Sequence, residues 1–252
     1  MLIENLYFSP VKSMSFTKSD HLKIIENKGI KNDRIFAFMQ NQEQSKIELL
    51  INNPNLRKLN NFVTLKNSPE LNKYNFVYID NKLILSENKK KIISINPYSI
   101  DQQIIISNKI QELINKEKKI DFVIDEKNPF FDTMPNNSIS LINKNSINHF
   151  ENKITTTVEF ERFRGNIYVS DLAPWEEREW IGKTIEINNI NFLVTSEIPR
   201  CSATNLKPNT DDKTINLPNT LKKTYNHINM GVYLIPKNNG TISINNKIKI
   251  YE

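Results

Sequence analysis

Cys201 is the only cysteine of the chain, and it stands between Arg200 and Ser202 in the stretch IPRCSAT. A lone cysteine is most often a small buried apolar group. Here Pro199 stiffens the approach, Arg200 adds positive charge, and Ser202 and Thr204 are polar. Positive charge beside a thiol favours the thiolate, the form that attacks electrophiles and binds soft metals. Two chemistries follow, a nucleophile and a metal ligand. A nucleophilic cysteine works with a base, and His21, His149 and His227 are all remote from it in sequence, though one could approach in space.

Four short segments place basic and small polar residues at the ends of expected strands. They are SPVKS (9–13), NDRIFAF (32–38), ERFRGNIYV (161–169) and IPRCSAT (198–204). If the fold brings them together, Lys12, Arg34, Arg164 and Arg200 form an anion-binding cluster. Arginine forks suit phosphate oxygens bidentately, and lysine acts as a point charge. Ser13, Ser146 and Asn166 then add neutral hydrogen bonds. The alternative is that each is an ordinary strand-end residue, and spacing alone does not decide between them.

Other chemistries find no support. Lys and Arg number 34 against 28 Asp and Glu, a net charge of +6 that solvated lysine runs such as Lys89–Lys91 or an anionic partner both explain. GKT at Gly182–Thr184 lacks the upstream glycine of a phosphate loop, where Glu177 stands instead. No HExxH, CxxC or GxSxG pattern occurs. The aromatic–basic alternation that stacks single-stranded bases is also missing, so no nucleic acid is expected. No apolar run reaches 18 residues and the N-terminus lacks a signal-peptide pattern, so no membrane span is expected and a reducing cytoplasm is the expected location.

The elements that must position these residues are mostly strands. LIENLYF, HLKII, RIFAFM, FVTL, FVYI, KLIL and KIISI are rich in Ile, Val and aromatics and are separated by Asn, Gly, Pro or charge. That cadence predicts an antiparallel barrel or sandwich. The spacing of Ile106, Ile110, Leu113 and Ile114 predicts a helix over about 101–118. The Pro- and Asn-rich stretch 126–138 breaks the pattern and suggests a boundary, giving domains 1–125 and 126–252. Beyond it come a short helix in NKNSINHFENK with Asn143 or Asn145 near its cap, and another in APWEEREW. A hairpin is expected around Asn188–Asn189, then a helix in LPNTLKKTY and closing strands GVYLI and IKIY.

In this order, the segments resemble the MOSC family, named for the molybdenum-cofactor sulfurase C-terminal domain. LYFSPVKSM, GIKNDRIFAFM, FDTMPNNSISLINKNSI, RFRGNIYVSDLAPWEEREW and IPRCSATNLKPNT each look like a family motif. The resemblance is to proteins that combine an N-terminal MOSC β-barrel domain with a MOSC domain, such as the mitochondrial amidoxime-reducing component and its YcbX-like bacterial relatives. It implies a mainly β fold, a β-barrel with peripheral α-helices. It implies the molybdenum cofactor (Mo-molybdopterin), with Cys201 as the catalytic thiolate on the metal. Lys12, Ser13, Arg34, Asn143, Ser146, Arg164, Asn166, Arg200 and Tyr233 are the implied cofactor contacts. Pyridoxal phosphate binding attaches to the family only at the family level.

The activity so implied is reduction of small N-hydroxylated compounds: hydroxylamines, amidoximes and N-hydroxylated bases. Ser9 and Gly165 depart from the family pattern, and the chain stops at Glu252 without a ferredoxin-like segment. Electrons are therefore expected from a separate flavin, iron–sulfur or cytochrome protein. The rival reading is a sulfur carrier or cofactor-binding accessory protein with Cys201 as persulfide acceptor. The lack of a fused pyridoxal-phosphate desulfurase domain weakens that rival.

Overall fold

A computed structural model describes residues 1–14, 16–115, 117–131 and 138–251. The N-terminal part holds β1 (Leu2–Phe8), β2 (Thr17–Ser19), β3 (His21–Ile25), β4 (Gly29–Ile30), β5 (Phe36–Gln40), α1 (Gln44–Asn52), β6 (Tyr74–Ile79), β7 (Lys82–Glu87), β8 (Lys90–Ile95), α2 (Ile100–Leu113) and β9 (Ile120–Ile124). It continues with β10 (Ile139–Asn143), α3 (Lys144–Ile154), β11 (Ile167–Ser170), β12 (Thr184–Ile187), β13 (Ile190–Pro199), α4 (Leu217–Tyr225), β14 (Asn229–Pro236), β15 (Gly240–Ser243) and β16 (Ile248–Tyr251). Among the described residues no helix is long and apolar enough to cross a membrane. The Asp132–Pro135 portion of the third family-like segment lies outside the described residues.

The fold is mixed α/β with several sheets, and the expected β-barrel is not formed. The largest sheet is open, in the order β16-β12-β13-β14-β10-β11-β1-β2. A barrel needs a continuous ladder between its two edges. β1 gives its second edge to β2 over Leu6–Phe8, so only its first residues meet the far side, through the isolated bridge Leu2–Lys247 and backbone hydrogen bonds between residues 1–3 and 245–248, with no ladder. Smaller sheets pair β15-β3-β4, β5-β9 and β6-β7-β8.

The central strand β10 (ISLIN) is buried at all five positions, on both faces of the sheet, Ser140 and Asn143 included. Ile139 and Leu141 face a core with Phe192, Val194, Val232 and Trp180. Ile142 faces the opposite way, among Ile147 and Phe150 of α3 and Leu217 and Leu221 of α4. A separate core joins β5–β9 to α2, where Ile106 and Ile110 pack with Phe38, Phe76 and Leu83. Each such buried side chain contributes about 1.5–3 kcal/mol.

Local chemistry sets most boundaries. Asn188 and Asn189 both adopt left-handed backbone, as a two-residue hairpin between β12 and β13 requires. Asn143 caps α3 by accepting from the backbone N–H of Asn145. The helix expected over 101–118 begins at Ile100 and ends at Leu113. APWEEREW instead forms a tight 3-10 turn over Glu176–Trp180. The expected strand FVTL is not one. The Asn67 side chain accepts from the Thr64 N–H, and the Thr64 carbonyl accepts from the Asn67 and Ser68 N–H groups. Those local bonds curl the chain into a turn before a ladder can form.

Candidate functional site

Lys12, Ser13, Arg34, Arg164, Asn166, Arg200, Cys201 and Tyr233 all line one cavity of about 170 Å³. Both halves of the sequence build it. Lys12 and Ser13 follow β1, Arg34 precedes β5, Arg164 and Asn166 precede β11, and Arg200 and Cys201 follow β13. Tyr233 lies within β14 and is nearly buried. Ser13, Arg34 and Arg164 have φ of 62°, 55° and 50°. Such left-handed backbone costs about 1–2 kcal/mol per non-glycine residue and is held there by its surroundings.

The cations are held in place by their neighbours. The Arg34 guanidinium pairs with the buried carboxylate of Asp33. It also lies 4.8 Å from the Phe16 ring and 4.9 Å from the Phe131 ring. Phe16 lies 4.7 Å from the Arg164 guanidinium, so one ring serves two like charges. Burial pushes Asp33 above the usual carboxylate range, while the charges of Arg34 and Arg164 and the Ser9 N–H pull the other way. Lys12 donates to the Phe130 carbonyl at 3.1 Å, with its ammonium 5.1 Å from the Phe62 ring.

Cys201 is exposed. Its carbonyl accepts from the Thr204 N–H and hydroxyl, at 3.0 and 2.8 Å, which fixes the turn that presents the thiol. Arg200, one residue away, is different. Its guanidinium is buried and donates to the Phe163 carbonyl at 2.7 Å and to the Met230 carbonyl at 2.9 Å. Burial pulls it below the usual guanidinium range. Its donors tie the β13 exit to β14 and to the turn before Arg164.

Asn166 also serves the framework. Its amide oxygen accepts from the Ser140 N–H and hydroxyl, and its amide nitrogen donates to the Tyr7 carbonyl at 3.0 Å. Asn143 and Ser146 are not at the cavity. Asn143 donates to the Ala173 carbonyl and, with Ser146, to the buried carboxyl of Glu177. Burial pushes Glu177 above the usual carboxylate range, against those two hydrogen bonds and the charge of Arg178. This trio locks α3 to the 3-10 turn at 176–180.

Sequence reasoning missed Asp33, Phe16, Phe131 and Thr64. The charged run NDR already offered Asp33, but the rings and Thr64 carry no local signal. Thr64 lines the cavity, and its buried hydroxyl finds no hydrogen-bond partner among the described residues. A buried unsatisfied hydroxyl costs about 1–3 kcal/mol. Cys201, Phe131, Lys66 and Tyr233 also line a neighbouring groove of about 1180 Å³, so cavity and groove meet at the thiol. Among the described residues no three His, Cys, Asp or Glu side chains gather as a metal-binding cluster.

In comparison with known proteins, residues 131–249 match the family model described as the MOSC domain, a stretch just under half of the chain. The match begins after β9 and corrects the expectation of an N-terminal MOSC β-barrel domain, because the family signal is confined to the C-terminal part. No curated protein matches the chain. Among solved structures, the YuaD protein from Bacillus subtilis is 12% identical, with a TM-score of 0.47, over 100% of this chain and 96% of that one. YiiM from Geobacillus stearothermophilus is 16% identical, with a TM-score of 0.37, over 45% of this chain and 54% of that one. Scores this low carry no argument about chemistry.

Proposed function

We propose that this MOSC-domain chain holds a molybdenum cofactor in the cavity. On this reading it is an oxidoreductase that reduces N-hydroxylated compounds with electrons from a separate redox protein. One observation carries the reading: an exposed thiol stands on the wall of a cavity where Lys12, Arg34 and Arg164 are already fixed. The donor set fits the group. An anionic cofactor that brings its own sulfur ligands needs cations and one soft protein ligand. A cluster of several protein ligands is not required. The Thr64 hydroxyl, unpartnered among the described residues, adds a donor for an anionic acceptor.

In this reading Cys201 supplies the thiolate, and Arg34, Arg164 and Lys12 neutralise phosphate and sulfur charge. Phe16 and Phe131 keep the two guanidinia oriented, so little order is lost on binding. Arg200 acts as a positioning residue, because its donors are committed to the Phe163 and Met230 carbonyls. The cofactor, when bound, supplies the two-electron couple that cleavage of an N–O bond requires. The exposed thiol also suits a persulfide acceptor, which is the second reading.

Molybdenum and pterin per chain, measured after expression in a cofactor-producing host, test the proposal. Wild type is expected to carry both, Cys201→Ala to lose most of the metal, and Arg164→Ala to lose both. Wild type without molybdenum would refute it. Molybdenum with no reduction of any N-hydroxylated compound by an artificial donor shifts the reading to the persulfide acceptor.

A further inference from the structure

The groove that meets the cavity at Cys201 has its own charge pattern. Four charged side chains line it: Arg57, Lys58, Lys66 and Glu197. Arg57 is paired with Asp125 and donates to the Leu50 and Asn128 carbonyls, so its charge is compensated and its donors are used. Glu197 is paired with Arg178. Lys58 and Lys66 are exposed and have no ion pair among the described residues. The uncompensated charge of the groove is therefore positive. Lys66 lines both the groove and the cavity, as Cys201 does. Of the three phenylalanines lining the groove, Phe62 and Phe130 are buried beneath it and Phe131 is half-buried, so Phe131 offers the apolar wall.

We infer that the groove admits an anionic small molecule to Cys201, and that Lys58 and Lys66 select it by charge. A concave site of one sign concentrates the opposite charge and speeds its arrival. The accessible part of the Phe131 ring adds apolar contact. The inference rests on the proposed function only in taking the Cys201 end of the groove as the place where chemistry occurs.

Because the chain has a single cysteine, thiol labelling reads this approach directly. The probes are a dinitrobenzoate disulfide with two carboxylates and a neutral dipyridyl disulfide. The Cys201 thiolate attacks one sulfur, forming a mixed disulfide and releasing one aromatic thiolate; the probe is the oxidant. Rates are measured by stopped flow on the full chain made in a host without the cofactor. The Lys58→Gln/Lys66→Gln double variant is expected to slow the anionic probe roughly fivefold and to leave the neutral probe within about twofold. Raising salt from about 0.05 to about 0.5 M is expected to narrow the wild-type difference between probes. An unchanged anionic rate in the double variant overturns the inference, and so does an equal slowing of both probes. Molybdenum content is measured separately, so its failure leaves the labelling result standing.

Discussion

Replacing Thr64 with Val separates a binding hydroxyl from a packing one. The hydroxyl is buried and has no hydrogen-bond partner among the described residues, and the residue lines the cavity. Valine keeps the shape and removes the orphaned polar atom. In the ligand-free chain this relieves part of a penalty of about 1–3 kcal/mol. We expect a gain of roughly 1 kcal/mol, which is about 2–4 °C in Tm for a chain of this size. The loaded protein loses a hydrogen bond to a charged group, worth about 1.5–3 kcal/mol, so retention of the cofactor falls roughly ten- to a hundredfold. Thr64→Ser keeps the donor and is expected to keep retention. Urea unfolding of the ligand-free variants and pterin retained through gel filtration give the two readings. If Thr64→Val destabilises the ligand-free chain, the hydroxyl has a partner in solution and the reasoning fails. It fails equally if retention is unchanged.

Two further outcomes follow from the framework. Burial raises the Glu177 carboxyl in the folded chain, so the folded state binds more protons than the unfolded one between the two values. Its contribution is therefore favourable at low pH and is lost as pH rises through the folded value. Glu177→Gln is expected to stabilise the chain at neutral pH, with the advantage fading below about pH 4, where the wild-type carboxyl is protonated in both states; a pH series of thermal melts checks this. Gly231 has φ +80°, and a Cβ there would meet the Leu141 carbonyl oxygen at 2.4 Å. Gly231→Ala is expected to cost about 3 kcal/mol or more, because β10 and β14 must separate, and urea titration measures it.

Much of the local structure was legible. The Asn188–Asn189 turn follows from one-residue chemistry, and so does a cap at Asn143 or Asn145, of which the fold uses Asn143. The barrel was misread because strand cadence does not say which edge a strand offers. FVTL was misread because the Asn67 side chain competes for the Thr64 backbone, and that competition is invisible to strand propensity. Helix α1 (QSKIELLIN) went unassigned, with only Ile47 and Leu50 marking its buried face.

For the site, the sequence by itself determined the chemical inventory. It offered one thiol, the basic residues around it, and a MOSC-like order of segments. Tertiary structure decided which of these meet. It set Lys12, Arg34, Arg164 and Cys201 on one cavity and turned the Arg200 guanidinium onto carbonyls. It took Asn143 and Ser146 away to Glu177, and it left the Thr64 hydroxyl unpaired among the described residues. The physical reason is that a polar group acts through what it faces. In a buried site that is settled by backbone carbonyls and rings brought from strands far apart in the chain.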